Sequence, residues 1–196
     1  TIEKQNLISQ MGCNFRFHPC IMKMKELVEK GIIGEIISVS AESGSYLPDW
    51  HPYEDYTKGY AARDDLGGGI VLTCIHEIDY LYWILGDVKE VFSVTGKFSK
   101  LKVSSDDMSS IILKFKNNVI GELHLDYFQR PDFKSCKIRG EKGVIYWDSD
   151  HNEVKIHLTN KKRWKTVLKI EKYERNKMYV DEINHFLKCV KTRKPT

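Results

Sequence analysis

The chain has 196 residues, of which 41% are hydrophobic and 30% charged, and its formal net charge is +4 at pH 7. This composition predicts a globular protein with a substantial core, and so mild a charge excludes the strongly basic face typical of nucleic-acid binding. The sequence has no apolar run near the roughly 20 residues of a membrane span, and its five cysteines form no zinc-ligand pattern. We therefore expect a cytoplasmic protein with reduced thiols, no metal site, no nucleic-acid partner and no membrane association.

The first predicted elements are a short strand and a helix. Residues 11–17 alternate between polar and apolar side chains as a strand does. His18-Pro19 then breaks the strand, and a helical stripe follows, formed by Ile21, Met24, Leu27 and Val28. One strand and one helix cannot bury both of their faces alone, so this segment needs a further partner.

A long β-branched strand is predicted over residues 35–46, and an irregular connection follows over residues 47–65. Long loops in compact domains are usually functional or disordered, and the aromatic content of this one argues against disorder. We expect the connection to line a pocket beside the central helix. Its aromatic side chains are Trp50, His51, Tyr53, Tyr56 and Tyr60.

The most apolar helical pattern of the chain lies between the run Gly67-Gly68-Gly69 and Gly86. The glycines are expected to start this helix and to end it, and the triple glycine lets another backbone or a ligand approach closely. Apolar residues recur at the spacing of a buried helix face. The predicted buried residues are Val71, Ile75, Ile78, Tyr82 and Leu85.

A second face of the same helix is polar, and its four side chains are predicted to converge: Thr73, His76, Asp79 and Tyr80. Histidine changes its charge near neutral pH, so His76 is a candidate acid or base. The alternative is that His76 is a core residue with satisfied hydrogen bonds, which is the commoner role of a single histidine on an apolar helix.

Beyond Gly86 the chain is predicted to be rich in strands with short connections, which favours an antiparallel sheet with the central helix on one face. An amphipathic helix over residues 178–191 follows, with Ile183, Phe186, Leu187 and Val190 predicted to point inward. The fold class is therefore α+β, with a large, mostly antiparallel sheet. The predicted strands cover residues 89–95, 109–116, 119–128, 133–139, 143–147, 153–157 and 165–170.

The strand over residues 119–128 carries apolar or aromatic groups on both faces. Leu123, Leu125 and Tyr127 fall on one face, whereas Ile120, His124 and Phe128 fall on the other. A contiguous exposed apolar area generally marks an interface. We therefore expect the outer face of the sheet to join copies of the chain.

Several motifs follow one another in a fixed order along nearly the whole chain, and together they resemble the Gfo/Idh/MocA oxidoreductases. They lie at residues 14–19, 34–36, 46–52, 55–56, 60–63 and 67–86. The later segments resemble the branch of that family found with surface-sugar and sialic-acid-type pathways. Those segments are residues 123–131, 140–143 and 147–148.

The resemblance implies a two-domain enzyme in which a dinucleotide-binding domain precedes an α+β domain that holds a sugar or polyol. Residues 1–33 would then be the last strand and helix of the first domain, and residues 34–196 the substrate and oligomerisation domain. The sequence has neither the G-x-G-x-x-G phosphate cradle nor the Glu-Lys-Pro motif of that first domain. The intact protein is therefore implied to use NAD or NADP, and this chain alone to be inactive and unable to bind either.

The resemblance also implies roles for individual residues. His76 would exchange a proton with the substrate, and Thr73 stands where many relatives carry an aspartate. A hydroxyl can orient an imidazole but cannot raise its pKa as a carboxylate would. Asp79 is a carboxylate one turn after the histidine and either assists this transfer or anchors the helix by a hydrogen bond. The implied substrate contacts, each of which also has a purely structural alternative, are Arg16, Trp50, Asp55, Tyr60 and Arg63.

Two functions follow from these observations. The first is the C-terminal part of an NAD(P)-dependent sugar or polyol oxidoreductase that forms a homodimer or homotetramer through the sheet. The second is a non-catalytic sugar-binding or scaffold module without a cofactor domain. An upstream reading frame that encodes a strand, a G-x-G-x-x-G turn and a Glu-Lys-Pro motif would favour the first.

Overall fold

The computed structural model of the chain describes residues 3–5 and 7–196. Within these residues the chain forms α-helices, strands and short 3-10 turns, and no helix is long and apolar enough to cross a membrane. The helices are α1 (Pro19–Glu29), α2 (Ile70–Thr73), α3 (Ile75–Leu85) and α4 (Asn176–Thr192). The strands are β1 (Ile36–Gly44), β2 (Val88–Gly96), β3 (Met108–Phe115), β4 (Ile120–Asp126), β5 (Phe133–Gly140), β6 (Gly143–Asp148), β7 (Glu153–Leu158) and β8 (Lys165–Lys169).

All eight strands belong to one sheet, in the order β2-β3-β4-β1-β5-β6-β7-β8. Strand β1 pairs parallel with β4, and every other pair is antiparallel. The predicted α+β class with a large, mostly antiparallel sheet is therefore confirmed. The seven strands predicted beyond Gly86 agree with the observed bounds within two residues, because period-two patterns and short turns mark such strands well.

The strand predicted over residues 11–17 is wrong. Asn14–Phe17 form a 3-10 turn instead, and Thr1, Ile2 and Asn6 of the predicted 1–33 segment lie outside the described residues. The two phenylalanines of the turn pack on other rings, Phe15 on His76 and Phe17 on His185. Alternation alone does not make a strand when the side chains on both sides find partners in neighbouring helices. The helix α1 that follows is confirmed.

The central helix is broken in two, and its predicted buried face is wrong. Cys74 has φ −100° and ψ 34°, which separates α2 from α3. Of the five residues predicted to be buried only Leu85 is, whereas Ile75 and Tyr82 are exposed. Up to Leu81 the buried line is shifted by one residue, since Asp106 holds the backbone N–H of Ile70 where the helix begins and the break at Cys74 follows. The residues buried on this line include Ile70, Cys74, Glu77, Leu81 and Leu85.

The inward face predicted for the last helix is also wrong. Helix α4 packs on the Asn14–Phe17 turn rather than on the sheet, and it buries Met178, Glu182 and Cys189. Ile183 is 56% exposed, and the other apolar residues of that stripe are exposed or half-buried. An amphipathic pattern identifies the helix but not the surface that it covers. The stripe comprises Ile183, Phe186, Leu187 and Val190.

One buried histidine makes the stability of the fold depend on pH. His18 caps α1, because its Nδ1 accepts a hydrogen bond from the Cys20 N–H at 3.2 Å. Burial lowers its pKa from 6.5 to about 4. The unfolded chain therefore binds an extra proton between these two values, so this contribution is complete above pH 6.5 and is lost as the pH falls towards 4. The full loss is about 3 kcal/mol, at 1.36 kcal/mol per pKa unit.

We expect the substitution His18→Asn to flatten this pH dependence. Asparagine keeps an acceptor at the start of α1 but does not titrate. The measurement is the free energy of unfolding in urea at several pH values for both proteins. The wild-type curve should fall more steeply than the variant curve between pH 6.5 and 4. Parallel curves would show that His18 is not the titrating group.

Candidate active site

The triple glycine is packed against the protein's own backbone. A Cβ on Gly68 would lie 2.1 Å from the carbonyl oxygen of Tyr60 and 2.6 Å from that of Arg63. The helix that follows, α2, has four residues, and the N–H of its first residue, Ile70, already donates to Asp106 Oδ2 at 2.9 Å. These residues therefore do not fit the phosphates of a dinucleotide. The close approach predicted for the glycines is made by backbone.

His76 lies on the first turn of α3 and is half-buried. Its ring stacks on Phe15, with centroids 5.3 Å apart and an interplanar angle of 19°. Its Nδ1 is buried and has no hydrogen-bond partner among the described residues. Burial lowers the pKa of His76 below its usual 6.5, and Lys134 lowers it further, while Glu77 and Asp79 oppose this shift. The imidazole is therefore neutral at pH 7 and can accept a proton.

Thr73 is bound to a tyrosine and not to the histidine. Its Oγ1 accepts a hydrogen bond from the Tyr127 hydroxyl at 2.7 Å. The Tyr127 ring meets Trp50 edge-on at 5.5 Å, and Trp50 Nε1 donates to Ser45 Oγ at 2.8 Å. Of the predicted substrate contacts, Trp50 thus packs on the tyrosine whose hydroxyl binds Thr73. The orientation of His76 comes from Phe15, not from the threonine hydroxyl.

Asp79 and Arg16 form a two-pronged ion pair. Arg16 donates from Nε at 2.9 Å and from Nη2 at 2.7 Å to the two carboxylate oxygens. This contact fastens the Asn14–Phe17 turn onto α3, and it raises the pKa of Arg16. The structure therefore favours the anchoring alternative for Asp79, and it joins two predicted site residues to each other. A role for either in substrate binding stays a prediction.

A buried ion pair lies beneath the histidine and was not predicted. Glu77 is 1% exposed, and its Oε1 lies 2.7 Å from Lys134 Nζ. Lys134 also donates to Ser43 Oγ and lies 5.3 Å from the centre of the Phe15 ring. The signal that could have revealed the pair is a glutamate on the apolar line of this helix, three residues after Cys74 and seven after Ile70. A buried carboxylate needs a cation or several donors.

The other predicted site residues are not gathered around His76. Asp55 caps a 3-10 turn by accepting from Thr57 N at 3.1 Å, and Arg63 forms an exposed ion pair with Asp65. Tyr60 is exposed, and Tyr80 is fully buried. Of the four polar groups predicted to converge, His76 and Asp79 both face the Asn14–Phe17 turn, whereas Thr73 faces Tyr127 and Tyr80 lies in the core. Within the described ranges, no three His, Cys, Asp or Glu side chains lie together as metal ligands would.

Comparison with known proteins identifies relatives of this chain. The family model of the GFO/IDH/MocA C-terminal domain matches residues 21–146. The chain is 30% identical to myo-inositol 2-dehydrogenase of Thermotoga maritima over 205 residues, which span 98% of this chain and 57% of that protein. It is 21% identical to levoglucosan dehydrogenase of Pseudarthrobacter phenanthrenivorans over 178 residues, spanning 78% of this chain and 45% of that protein.

The fold agrees with solved structures of such proteins. The apo form of a levoglucosan dehydrogenase superposes with a TM-score of 0.86 at 16% identity, covering 100% of this chain and 60% of that one. The chain thus spans about half the length of the curated relatives that it matches. Since the family model covers more than half of its residues, the chain belongs to the GFO/IDH/MocA family, in the part that corresponds to the C-terminal domain.

Proposed function

We propose that this chain is the substrate and oligomerisation part of an NAD(P)-dependent oxidoreductase acting on a sugar or polyol. The observation that carries the proposal is His76, a half-buried imidazole stacked on Phe15 and kept neutral by burial and by Lys134. The relatives named above are dehydrogenases of myo-inositol and levoglucosan, and one solved relative is a complex with NADH and levoglucosan. Since the triple glycine does not fit a dinucleotide, the cofactor would be held by residues outside this sequence.

The residues of this chain would carry out the proton transfer of the reaction. When a secondary alcohol is oxidised, its O–H proton must leave as the C–H bond breaks. A neutral imidazole within hydrogen-bond reach accepts that proton and returns it in the reverse reaction, a contribution of roughly 10²–10⁴ in rate. The stacked Phe15 ring limits rotation of His76, so the accepting nitrogen stays aimed at one place. Trp50 and Thr73 would line the neighbouring part of the substrate site.

We also propose the division of the chain into residues 1–33, from the edge of the cofactor-binding unit, and residues 34–196, the substrate unit. Helix α1 packs on β6 and β7, so it would tie the two units together.

All five cysteines are free thiols. Reduced thiols are typical of cytosolic proteins, and this supports a cytoplasmic location.

The proposal predicts that the isolated chain does not bind NADH or NADPH. Backbone donors are not arrayed for a pyrophosphate anywhere near the glycine run, where Gly68 is already in contact with carbonyl oxygens. Calorimetric titration of the 196-residue chain tests this, with the whole protein that carries the chain as the positive control. Micromolar binding to the isolated chain would overturn the proposed division of labour. A whole protein that binds sugar but oxidises no polyol would favour the non-catalytic module.

Self-association through the outer face of the sheet is a further expected result. Phe92, Val94, Ile112 and Ile120 are exposed there, while Leu123 on the opposite face of β4 is buried. Neighbouring strands β2, β3 and β4 bring these side chains together, and such apolar patches generally mark interfaces. Sedimentation velocity over a range of micromolar concentrations should show a dimer or tetramer.

Ile120→Glu is the variant that tests this interface, because it places a charge in the patch without touching the core. We expect it to give a folded monomer, as judged by circular dichroism together with sedimentation. The matched control is Leu66→Glu, which changes another exposed apolar side chain, in the 3-10 turn Asp64–Leu66 and not on a strand of the sheet. A wild-type chain that sediments as a monomer at every concentration would refute the interface.

A further inference from the structure

We propose that Lys134 is a positioning residue for His76: tied to the buried carboxylate of Glu77, its ammonium holds the Phe15 ring against the imidazole and keeps a positive charge near it. This inference rests on the proposed oxidoreductase function and deepens it, because it assigns a part in the proton transfer to a side chain that does not need to touch the substrate. Lys134 acts in two ways, on the orientation of the imidazole and on its charge.

The Lys134 ammonium has three neighbours that fix its position. Its Nζ lies 2.7 Å from Glu77 Oε1, donates to Ser43 Oγ and lies over the Phe15 ring, 5.3 Å from the ring centre. Ser43 and Lys134 are opposite each other in the ladder between β1 and β5, whereas Glu77 belongs to α3, so the ammonium joins the sheet to the helix. A lysine held by a carboxylate, a hydroxyl and an aromatic ring has lost the freedom of a surface lysine.

The carboxylate that holds Lys134 is buried and has one unpaired oxygen. Glu77 is 1% exposed, and its Oε2 has no hydrogen-bond partner within residues 3–5 and 7–196. Apolar side chains often replace a buried ion pair without loss of stability, so such a pair is weak evidence of a purely structural role. Charged groups placed in this way are common at functional sites, and Glu77 directly follows His76 in the chain.

Phe15 carries the effect of the ammonium to the imidazole. Its ring stacks on His76 and on His18, with centroids 5.3 and 5.7 Å apart and interplanar angles of 19° and 16°. A histidine that transfers protons is usually oriented by a hydrogen bond to its second ring nitrogen, but Nδ1 of His76 has no partner in the part of the chain that the structure describes. The orientation of this imidazole therefore depends on the ring stack, and Lys134 helps to hold that stack in place.

Several charged groups face His76 from the elements around it. Burial is the largest influence on the pKa of His76 and lowers it. Two carboxylates on α3 raise this pKa, whereas cations on β5 and just before α4 lower it further. These four groups are Glu77, Asp79, Lys134 and Arg175. Asp79 is paired with Arg16 of the N-terminal turn, so its charge is already compensated.

Other titratable side chains around α3 add little charge at the imidazole. Burial lowers the pKa of His18 to about 4 and raises that of Cys74 to about 12, so both are neutral at pH 7. Lys25 of α1 lies over Trp83, two turns further along the helix. Removing one member of the buried pair therefore leaves the charge of the other uncompensated near the imidazole.

Two substitutions in the whole protein separate this role from packing, because they change the charge near His76 in opposite directions. Lys134→Met removes the cation and should raise the pKa of His76, so the acid limb of the kcat/KM profile moves to higher pH. Glu77→Gln leaves the cation and should move this limb to lower pH. A purely structural pair predicts no such opposition, since lost packing does not depend on the sign of the lost charge. The profiles are measured with myo-inositol and with levoglucosan.

The orientation of the imidazole is tested by kcat and KM at the pH optimum of each variant. Lys134→Met should lower kcat about 10-fold, because an imidazole that is held less firmly is less often aligned for proton transfer. KM should stay the same, since Lys134 is not placed in contact with the substrate. Lys134→Arg keeps the cation and should restore the acid limb. The matched control is Lys137→Met on the same strand, whose ammonium lies 5.2 Å from the Tyr146 ring centre and which should behave as wild type.

A measurement without turnover tests the charge directly. Diethyl pyrocarbonate reacts with neutral imidazole, so the pH dependence of His76 modification, followed by mass spectrometry, reports the pKa of this residue. The midpoint should be higher in Lys134→Met and lower in Glu77→Gln than in wild type. If circular dichroism shows that Lys134→Met is unfolded, the same change is made together with Glu77→Gln, which leaves no carboxylate unpaired. The double variant should then have a higher midpoint than Glu77→Gln alone.

The possible failures of this inference differ from a failure of the proposed function. Midpoints and acid limbs that do not move, or that move in the same direction in both variants, would overturn the positioning role, as would a kcat of Lys134→Met equal to that of Lys137→Met. If the whole protein oxidises neither alcohol, or if His76→Ala keeps full turnover, the proposed function is wrong and the positioning role falls with it.

Discussion

Replacing His76 with alanine in the whole enzyme should lower kcat at least ~100-fold, because a positioned acid or base contributes roughly 10²–10⁴ in rate. The affinity for NADH should stay the same, since the residues of this site do not fit a dinucleotide. The loss should appear equally in kcat and in kcat/KM, as expected when the removed interaction exists only in the transition state. Steady-state kinetics and a fluorescence titration with NADH measure the two quantities.

His157→Ala is the matched control for this substitution. His157 lies on β7 and packs edge-on against Trp164, far along the chain from the α3 site. This variant should keep wild-type kcat.

Because burial lowers the pKa of His76 below 6.5, the acid limb of the kcat/KM profile of wild type should also lie below pH 6.5. Normal turnover per folded molecule of His76→Ala would show that His76 is a core residue and no more.

The bounds of the strands could be predicted from the sequence, whereas the packing of the helices could not. Most strands of the second half are bounded by turns and carry alternating side chains, so local sequence determines their bounds within two residues. A helix gives only a stripe, and which neighbour covers that stripe is set by distant residues. Ile183 on α4 was therefore expected inside and is exposed, because the Asn14–Phe17 turn occupies the other face.

The candidate site shows the same limit. His76 could be singled out because its residue type, the glycines and the apolar helix lie within one continuous stretch of sequence. The residues that surround the site come from the N-terminal turn and from the ends of two strands: Phe15 packs on His76, Lys134 pairs with Glu77 and Tyr127 binds Thr73. Nothing in the spacing of the chain points to these contacts, because they arise from the order of strands in the sheet. Thr73 was therefore expected to face His76, and it faces Tyr127.

The ion pair between Glu77 and Lys134 should make a large contribution to the stability of this chain. Lys134→Met should lower the free energy of unfolding by about 3 kcal/mol, at the lower end of the roughly 3–5 kcal/mol typical of breaking a buried pair. The variant leaves the carboxylate of Glu77, which is 1% exposed, without a cation. The loss stays at the lower end of the range because position 134 is partly open, at 32% exposure, so that some water reaches the carboxylate. Guanidinium unfolding of the 196-residue chain measures the change. Lys116→Met is the control, because it breaks an ion pair with Asp87 in which both side chains are exposed, so its effect on stability should be much smaller.

The two partners of the buried pair should not be equivalent. Glu77→Gln leaves the Lys134 ammonium, which still donates to Ser43 and can reach water, so this change should cost less than Lys134→Met. Replacing both, as Glu77→Leu with Lys134→Met, removes the charges together and should recover much of the loss, since apolar residues of similar size often substitute for buried pairs at little cost. If Lys134→Met costs no more than Lys116→Met, the carboxylate of Glu77 is not dependent on Lys134 and the pair is not a structural element of the site. If instead the double variant is less stable than either single one, the two side chains contribute through packing, and their charges do not account for their burial.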